Sequence, residues 1–214
     1  MRTNVYVDGF NLYYGCLKST PYKWLDLEAL CRQLLPYRHH QIGRIRYFTA
    51  KIGARPDDPQ SPMRQQTYLR ALGTLPSVSI HLGHFLTRPT RMRLANPPAL
   101  PAAQTVEVIK TEEKGSDVNL ATFMLADAFR HDADVFVLIS NDSDLKEPMR
   151  VVAHELGYRI GILNPQPAAS RSRALLSCQP TFFKQIGARA LRRSQFPGQI
   201  HDTNGRTIHR PTGW

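Results

Sequence analysis

A chain of 214 residues can bury one sizeable core, so a single domain with an extension is expected and two full domains are not. Lys and Arg number 28 against 17 Asp and Glu, a formal charge of +11 that favours a polyanionic partner over a small acidic molecule. Nothing approaches the roughly 18 apolar residues of a membrane span, and Asp8 and Asn11 interrupt the early apolar stretch where a signal peptide would be.

A cytoplasmic protein without a membrane partner is therefore expected. Cys16, Cys31 and Cys178 lack the paired spacing of a zinc site or a disulfide framework and read as reduced structural thiols.

Val5-Tyr6-Val7 reads as a buried strand that releases Asp8 at its carboxyl end, ahead of the turn Gly9-Phe10-Asn11. Leu27, Leu30, Cys31, Leu34 and Leu35 recur at helical spacing between Asp26, placed to cap, and Pro36, placed to stop. Residues 42–51 alternate as a second strand, a loop follows over 54–59, and a helix is predicted from about Ser61 to Leu72. Val78 to Leu82 alternates as a strand, and Val106 to Ile109 reads as its partner or neighbour. Between them, residues 88–103 hold Pro89, Pro97, Pro98 and Pro101 with Arg88, Arg91 and Arg93, and are predicted as a long basic loop on the rim. A helix is predicted from Ser116 to about His131, an apolar strand over 135–139, a helix from Leu145 to Leu156, and a last strand over 158–163.

Strands alternating with helices predict parallel units joined by right-handed crossovers. The fold class is α/β, a Rossmann-like three-layer α/β/α sandwich with a mainly parallel sheet over residues 1–187. Residues 188–214, with Arg189, Arg192, Arg193, Arg206 and Arg210 and few aliphatics, read as a partly ordered basic tail whose Trp214 docks on the body.

The run Val135-Phe136-Val137-Leu138-Ile139-Ser140-Asn141-Asp142-Ser143-Asp144 carries the most chemical information. Its apolar half reads as a buried strand, and its two carboxylates must sit where that strand emerges. Asp8 and Asp142 thus both leave strands at the edge where open α/β sheets place their ligand crevice. A third acidic element, Glu112-Glu113-Lys114-Gly115-Ser116-Asp117, lies between a strand and a helix. Gly115 permits the tight turn, and Asp117 falls in the first helical turn, where the helix dipole favours a carboxylate.

Asp8, Glu112, Glu113, Asp117, Asp142 and Asp144 can all reach one sheet edge, and such like charge is costly without a cation. Oxygen ligands alone suit Mg²⁺ or Mn²⁺. With a polyanionic partner the implied chemistry is phosphodiester hydrolysis, the metal acidifying water and offsetting charge on the leaving oxygen. Duller roles compete: Asp144 with Glu147 as a capping box, Asp117 as a dipole partner, Asn11 as a turn residue. Asp127, about 15 Å beyond Asp117 along the helix, is too far to share a metal and is assigned to a surface pair with Arg130 or His131. Asn11 is a candidate to hold a phosphate or water, Ser140 to hydrogen-bond a neighbouring carboxylate, and Lys114 to contact phosphate. Tyr13, Tyr14, Tyr22 and Trp24 are assigned to packing rather than base stacking.

These motifs resemble the NYN group of PIN-like nucleases. Val7-Asp8-Gly9-Phe10-Asn11-Leu12 resembles its opening Asp-x-x-Asn motif, Glu113-Lys114-Gly115-Ser116-Asp117-Val118 its central motif, and Ser140-Asn141-Asp142-Ser143-Asp144 its third, over roughly residues 3–165. The resemblance implies a PIN-like fold and metal-dependent endoribonuclease activity, with Asp8, Asp117 and Asp142 as main ligands, Asp144 as a fourth acid and Asn11 as a positioning group. Lys114, Ser140, Arg88, Arg91 and Arg93 complete the expected set as nucleic-acid contacts. RNA is the expected partner, with DNA the second polyanion that the charge admits, and a homodimer is expected on the resemblance alone. The insertion at 88–103 and the tail depart from the core pattern.

Members of this group also carry an oxidoreductase label, as hydroxypyridine hydroxylases using NADH. Here no G-x-G-x-x-G follows the first strand, and no flavin or iron site is evident. Two further readings compete with the nuclease: a nucleic-acid-binding module without catalysis, whose binding would survive acid-to-Asn changes, and a small-molecule enzyme, which NADH consumption would reveal.

Overall fold

In the computed structural model, which describes residues 1–214, β1 (Arg2–Asp8) and β5 (Val135–Ile139) pair in parallel at the centre of a seven-stranded sheet. Outward from β1 lie β2 (Gln41–Ala50), β3 (Val78–Arg93) and β4 (Thr105–Lys114); outward from β5 lie β6 (Arg159–Asn164) and β7 (Phe182–Gln185). Every neighbouring pair is parallel except β3–β4. The winding direction reverses between β1 and β5, and at such a switch point the two flanking loops diverge and open a crevice at the carboxyl edge.

Alternation along each strand divides the core in two. Val5, Val7, Val137 and Ile139 face α2 (Leu27–Leu34), α3 (Ser61–Leu72) and α7 (Ala188–Arg193), whereas Tyr6, Phe136 and Leu138 face α4 (Ser116–Phe129), α5 (Lys146–Arg150) and α6 (Arg173–Leu176). The first crossover opens with the short α1 (Gly9–Leu12), continues in a wider π-type turn over Tyr13–Leu17, and then runs through α2. Asp26 caps α2 as its position suggests, accepting from the Ala29 amide at 2.9 Å. No helix is long and apolar enough to cross a membrane.

Three expectations are corrected. Residues 88–103 are not a rim loop: β3 and β4 form a continuous antiparallel ladder from His84↔Lys114 to Arg93↔Thr105, a two-stranded arm that places Arg88, Arg91 and Arg93 on a strand. Pairing with β2 ends at Gly83, so Pro89 lies where β3 has an open edge and its missing N–H removes no bond to β2. Only the tip, with Pro97, Pro98 and Pro101, lies outside the strands.

The segment after Gly187 is not a loose tail. It forms α7 and a hairpin of β8 (Gln199–His201) and β9 (Thr207–His209), and it buries Leu191, Phe196 and Ile208 in the main core. Trp24 Nε1 donates to the Pro197 carbonyl at 2.8 Å. Trp214 does dock on the body, its ring 5.8 Å from that of Tyr68.

Asp127 is not a surface residue either. It is buried and accepts from Arg46 Nε at 2.7 Å, from Arg46 Nη2 at 2.8 Å and from the Tyr6 hydroxyl at 2.8 Å. Arg46 extends from β2 toward α4, and its guanidinium also lies 4.7 Å from the Phe123 ring.

Candidate metal centre

Asp8 leaves β1 with both carboxylate oxygens held. Oδ1 accepts from the Asn11 amide at 2.9 Å, and Oδ2 from the Ser140 hydroxyl at 2.9 Å. The chain passes very close to β2 here: a Cβ on Gly9 would stand 2.7 Å from the Phe48 carbonyl oxygen and from the Tyr47 ring. Asn11 Oδ1 accepts from the Asn141 amide at 3.0 Å, so the loops after β1 and β5 are tied together across the switch point.

Asp142 caps the turn Ser143–Leu145, its Oδ1 accepting from the Asp144 amide at 3.0 Å. The capping role therefore falls to Asp142, and Glu147 pairs with Arg150 at 2.8 Å instead of closing a box on Asp144. Asp117 enters from the first turn of α4, after Gly115 reverses the chain at φ +98°. Ligand atoms of Asp8, Asp117 and Asp142 all lie within 4.8 Å of one another.

The other predicted acids behave differently. Asp144 is exposed and stands outside this triad. Glu113 lines the same cleft, but its oxygens accept from the Ser116 amide at 3.1 Å and the Ser116 hydroxyl at 2.7 Å. Glu112 turns away, pairing with Lys110 at 2.8 Å and Lys114 at 3.7 Å. Ser140 is buried at the centre, where it bonds Asp8 and accepts from the Asp142 amide at 3.0 Å.

Charge in this centre is uncompensated by the protein. None of Asp8, Asp117 or Asp142 makes an ion pair. Burial pushes the Asp8 carboxyl up, opposed by the Asn11 amide and the Ser140 hydroxyl and reinforced by Asp142. The Asp117 carboxyl is pushed up to about 6, first by burial and then by repulsion from Asp8, Asp142, Glu113 and Asp144. Three convergent carboxylates without Cys or His suit a hard divalent cation such as Mg²⁺ or Mn²⁺, whose remaining positions water or phosphate oxygen can fill.

The cleft over these acids, about 370 Å³, is also lined by Phe10, Asn11, Tyr14, Ile52, Arg55, Phe85 and Gln166. The Phe10 and Phe85 rings meet edge to face at 5.8 Å. Tyr14, assigned from sequence to packing, is half exposed on this wall. Phe85, Arg55 and Gln166 were not singled out from sequence. The signal that would have found them is their place on or just after β3, β2 and β6 at the same carboxyl edge, which becomes visible only once strand order is known.

The arm divides the remaining candidates. Successive strand residues face opposite sides, so Arg91 and Arg93 share the face of Phe85 and Glu113, while Arg88 and Lys114 occupy the other.

A family model described as NYN domain matches residues 2–186. Over 195 residues the chain is 35% identical to a Pseudomonas putida (strain DSM 28022 / S16) protein named 6-hydroxy-3-succinoylpyridine 3-monooxygenase HspA; the match covers 80% of this chain and 62% of that protein. The chain thus spans less than two thirds of that relative's length. Among solved structures, a protein of unknown function, VPA0982 from Vibrio parahaemolyticus RIMD 2210633, superposes with a TM-score of 0.54 at 15% identity, over 87% of this chain and 93% of that one, a likeness of fold alone.

Proposed function

The chain belongs to the NYN domain family of PIN-like nucleases, and on that premise we propose that it is a Mg²⁺- or Mn²⁺-dependent endoribonuclease acting at Asp8, Asp117 and Asp142. The observation that carries the proposal is the convergence of three carboxylates from three separate segments, their ligand atoms within 4.8 Å of one another and none of them in an ion pair. Such a cluster is costly to fold unless a cation occupies it.

In this reading water adds to phosphorus and the bond to the leaving oxygen breaks, generating two RNA ends. A divalent ion held by the three carboxylates would supply Lewis acidity and lower the pKa of water. The protein's own part is positioning. Ser140 and the Asn11 amide fix Asp8, Asn11 Oδ1 fixes the loop that carries Asp142, and Arg55 offers a cation to a phosphate entering the cleft. Asp144 adds negative field from outside the triad rather than a ligand atom.

The test is cleavage of end-labelled RNA by the full chain with Mg²⁺, Mn²⁺ or EDTA, beside an Asp8→Asn, Asp142→Asn variant. Metal-dependent cutting that the variant lacks supports the proposal. RNA bound but never cut replaces it with a binding module.

One observation favours a second reading. The cleft pairs aromatic walls, Phe10, Phe85 and Tyr14, with Arg55, a combination suited to a flat anionic ring, and the 35% identical relative is named a monooxygenase of a substituted pyridine. NADH and O₂ consumption with 6-hydroxy-3-succinoylpyridine, without RNA cutting, would establish it.

A further inference from the structure

The register of the arm determines which charges share a face. His84 stands opposite Lys114, Leu86 opposite Glu112 and Arg88 opposite Lys110, all on one side. Glu112 is the single carboxylate of that side, and it is occupied by Lys110 at 2.8 Å and Lys114 at 3.7 Å. Arg88 and Lys110 are therefore like charges directly opposed across a ladder, an arrangement that destabilises a sheet. The other side is balanced. Arg91 stands opposite Glu107, Glu113 lies on the same face, and Arg91 donates to the Thr105 hydroxyl at 2.9 Å.

The unbalanced side lies across the β4 edge from the acidic cleft, whose wall is the face of Phe85 and Glu113. Lys114 directly follows Glu113, which lines the cleft, and Lys110 lies four residues farther out, beyond Glu112, about 13 Å along the strand at ~3.3 Å per residue. β4 is the terminal strand of the sheet, so a polymer leaving the cleft meets this side after crossing one free strand edge. The exposed apolar residues Met92 and Val106 sit farther out, near the tip.

We propose that Arg88, Lys110 and Lys114 form a phosphate-backbone track on this face of the arm, holding the RNA strand outside the cleft that contains its scissile bond. The proposal rests on the ribonuclease reading. It makes the two faces of the arm unequal: one takes the backbone, and the other serves as a wall of the cleft.

The experiment is anisotropy of a fluorescein-labelled single-stranded RNA in EDTA, over a range of KCl concentrations, with the full chain and two double variants. Each phosphate contact on a single strand contributes about 0.7 to the slope of log K against log salt. Arg88→Gln, Lys110→Gln is expected to lower that slope by about 1.4, and by more than Arg91→Gln, Arg93→Gln lowers it. All four side chains are on the solvent-facing arm, and circular dichroism checks that the variants are folded. Equal slopes for the two variants, or no change in the first, overturn the track. Binding to phosphatidylserine vesicles that the first variant loses, with its RNA slope intact, also overturns it and makes the face a lipid contact. RNA cut with metal but an unaltered slope removes the track and leaves the nuclease standing; RNA neither bound nor cut removes both.

Discussion

Ser140 donates a hydrogen bond to Asp8 Oδ2 at 2.9 Å while its oxygen accepts from the Asp142 amide at 3.0 Å. One buried hydroxyl thereby orients two of the three carboxylates at the boundary between β1 and β5. Ser140→Ala should cost about 1–3 kcal/mol of stability, because it leaves a carboxylate oxygen and a backbone amide without their partner. It should also weaken Mn²⁺ binding. Urea unfolding and titration calorimetry measure the two effects, and an unaltered Mn²⁺ affinity would show that Asp8 is positioned without Ser140.

The Asp117 carboxyl, raised from 3.8 to about 6, gives a pH signature. The folded protein holds this proton more tightly than the unfolded chain does. The metal-free protein therefore loses stability as pH rises from the ordinary carboxylate range through about 6, and then levels off. Metal must displace the proton, so Mn²⁺ affinity rises over the same window. Asp117→Asn should flatten the stability profile, raise the melting temperature of the metal-free protein, and abolish the stabilisation by Mn²⁺. A thermal-shift series across that window, with and without Mn²⁺, checks all three.

Arg46 and Asp127 form a bidentate pair in the interior, with side chains 9% and 3% exposed. Removing one partner leaves a buried charge, so Arg46→Met alone should cost about 3–5 kcal/mol. The double change Arg46→Met, Asp127→Leu should recover most of that loss, since a well-packed apolar pair avoids desolvating either charge. Urea midpoints of the two variants decide this; equal losses would mean that the pair, with its bond from the Tyr6 hydroxyl, stabilises the fold beyond what an apolar pair supplies.

Ending the chain after Gly187 should abolish cooperative folding. It uncovers the sites of Leu191, Phe196 and Ile208 and removes the acceptor of the Trp24 indole. Each large apolar side chain contributes about 1.5–3 kcal/mol, and three approach the whole stability of an ordinary domain. A melting curve shows the outcome, and a sharp transition at the full-length midpoint would make the segment dispensable.

Much of the frame was legible because local physics decides it. Asp26 and Pro36 bound α2, and the helix over Ser61–Leu72 has a proline in its first turn. The arm was not legible, because prolines and arginines read as loop until a partner strand supplies the ladder. Asp127 was misplaced because its partner Arg46 lies 81 residues away on another strand.

The sequence by itself determined that Asp8 and Asp142 would emerge at one edge, because a run of apolar, β-branched residues must be buried and a carboxylate ending it cannot be. Only the tertiary structure decided that Asp117 joins them, that Asp144 stays outside, and that Phe85 and Arg55 wall the cleft. Those outcomes depend on strand order and on the turn at Gly115, which set distances between segments that share no local pattern.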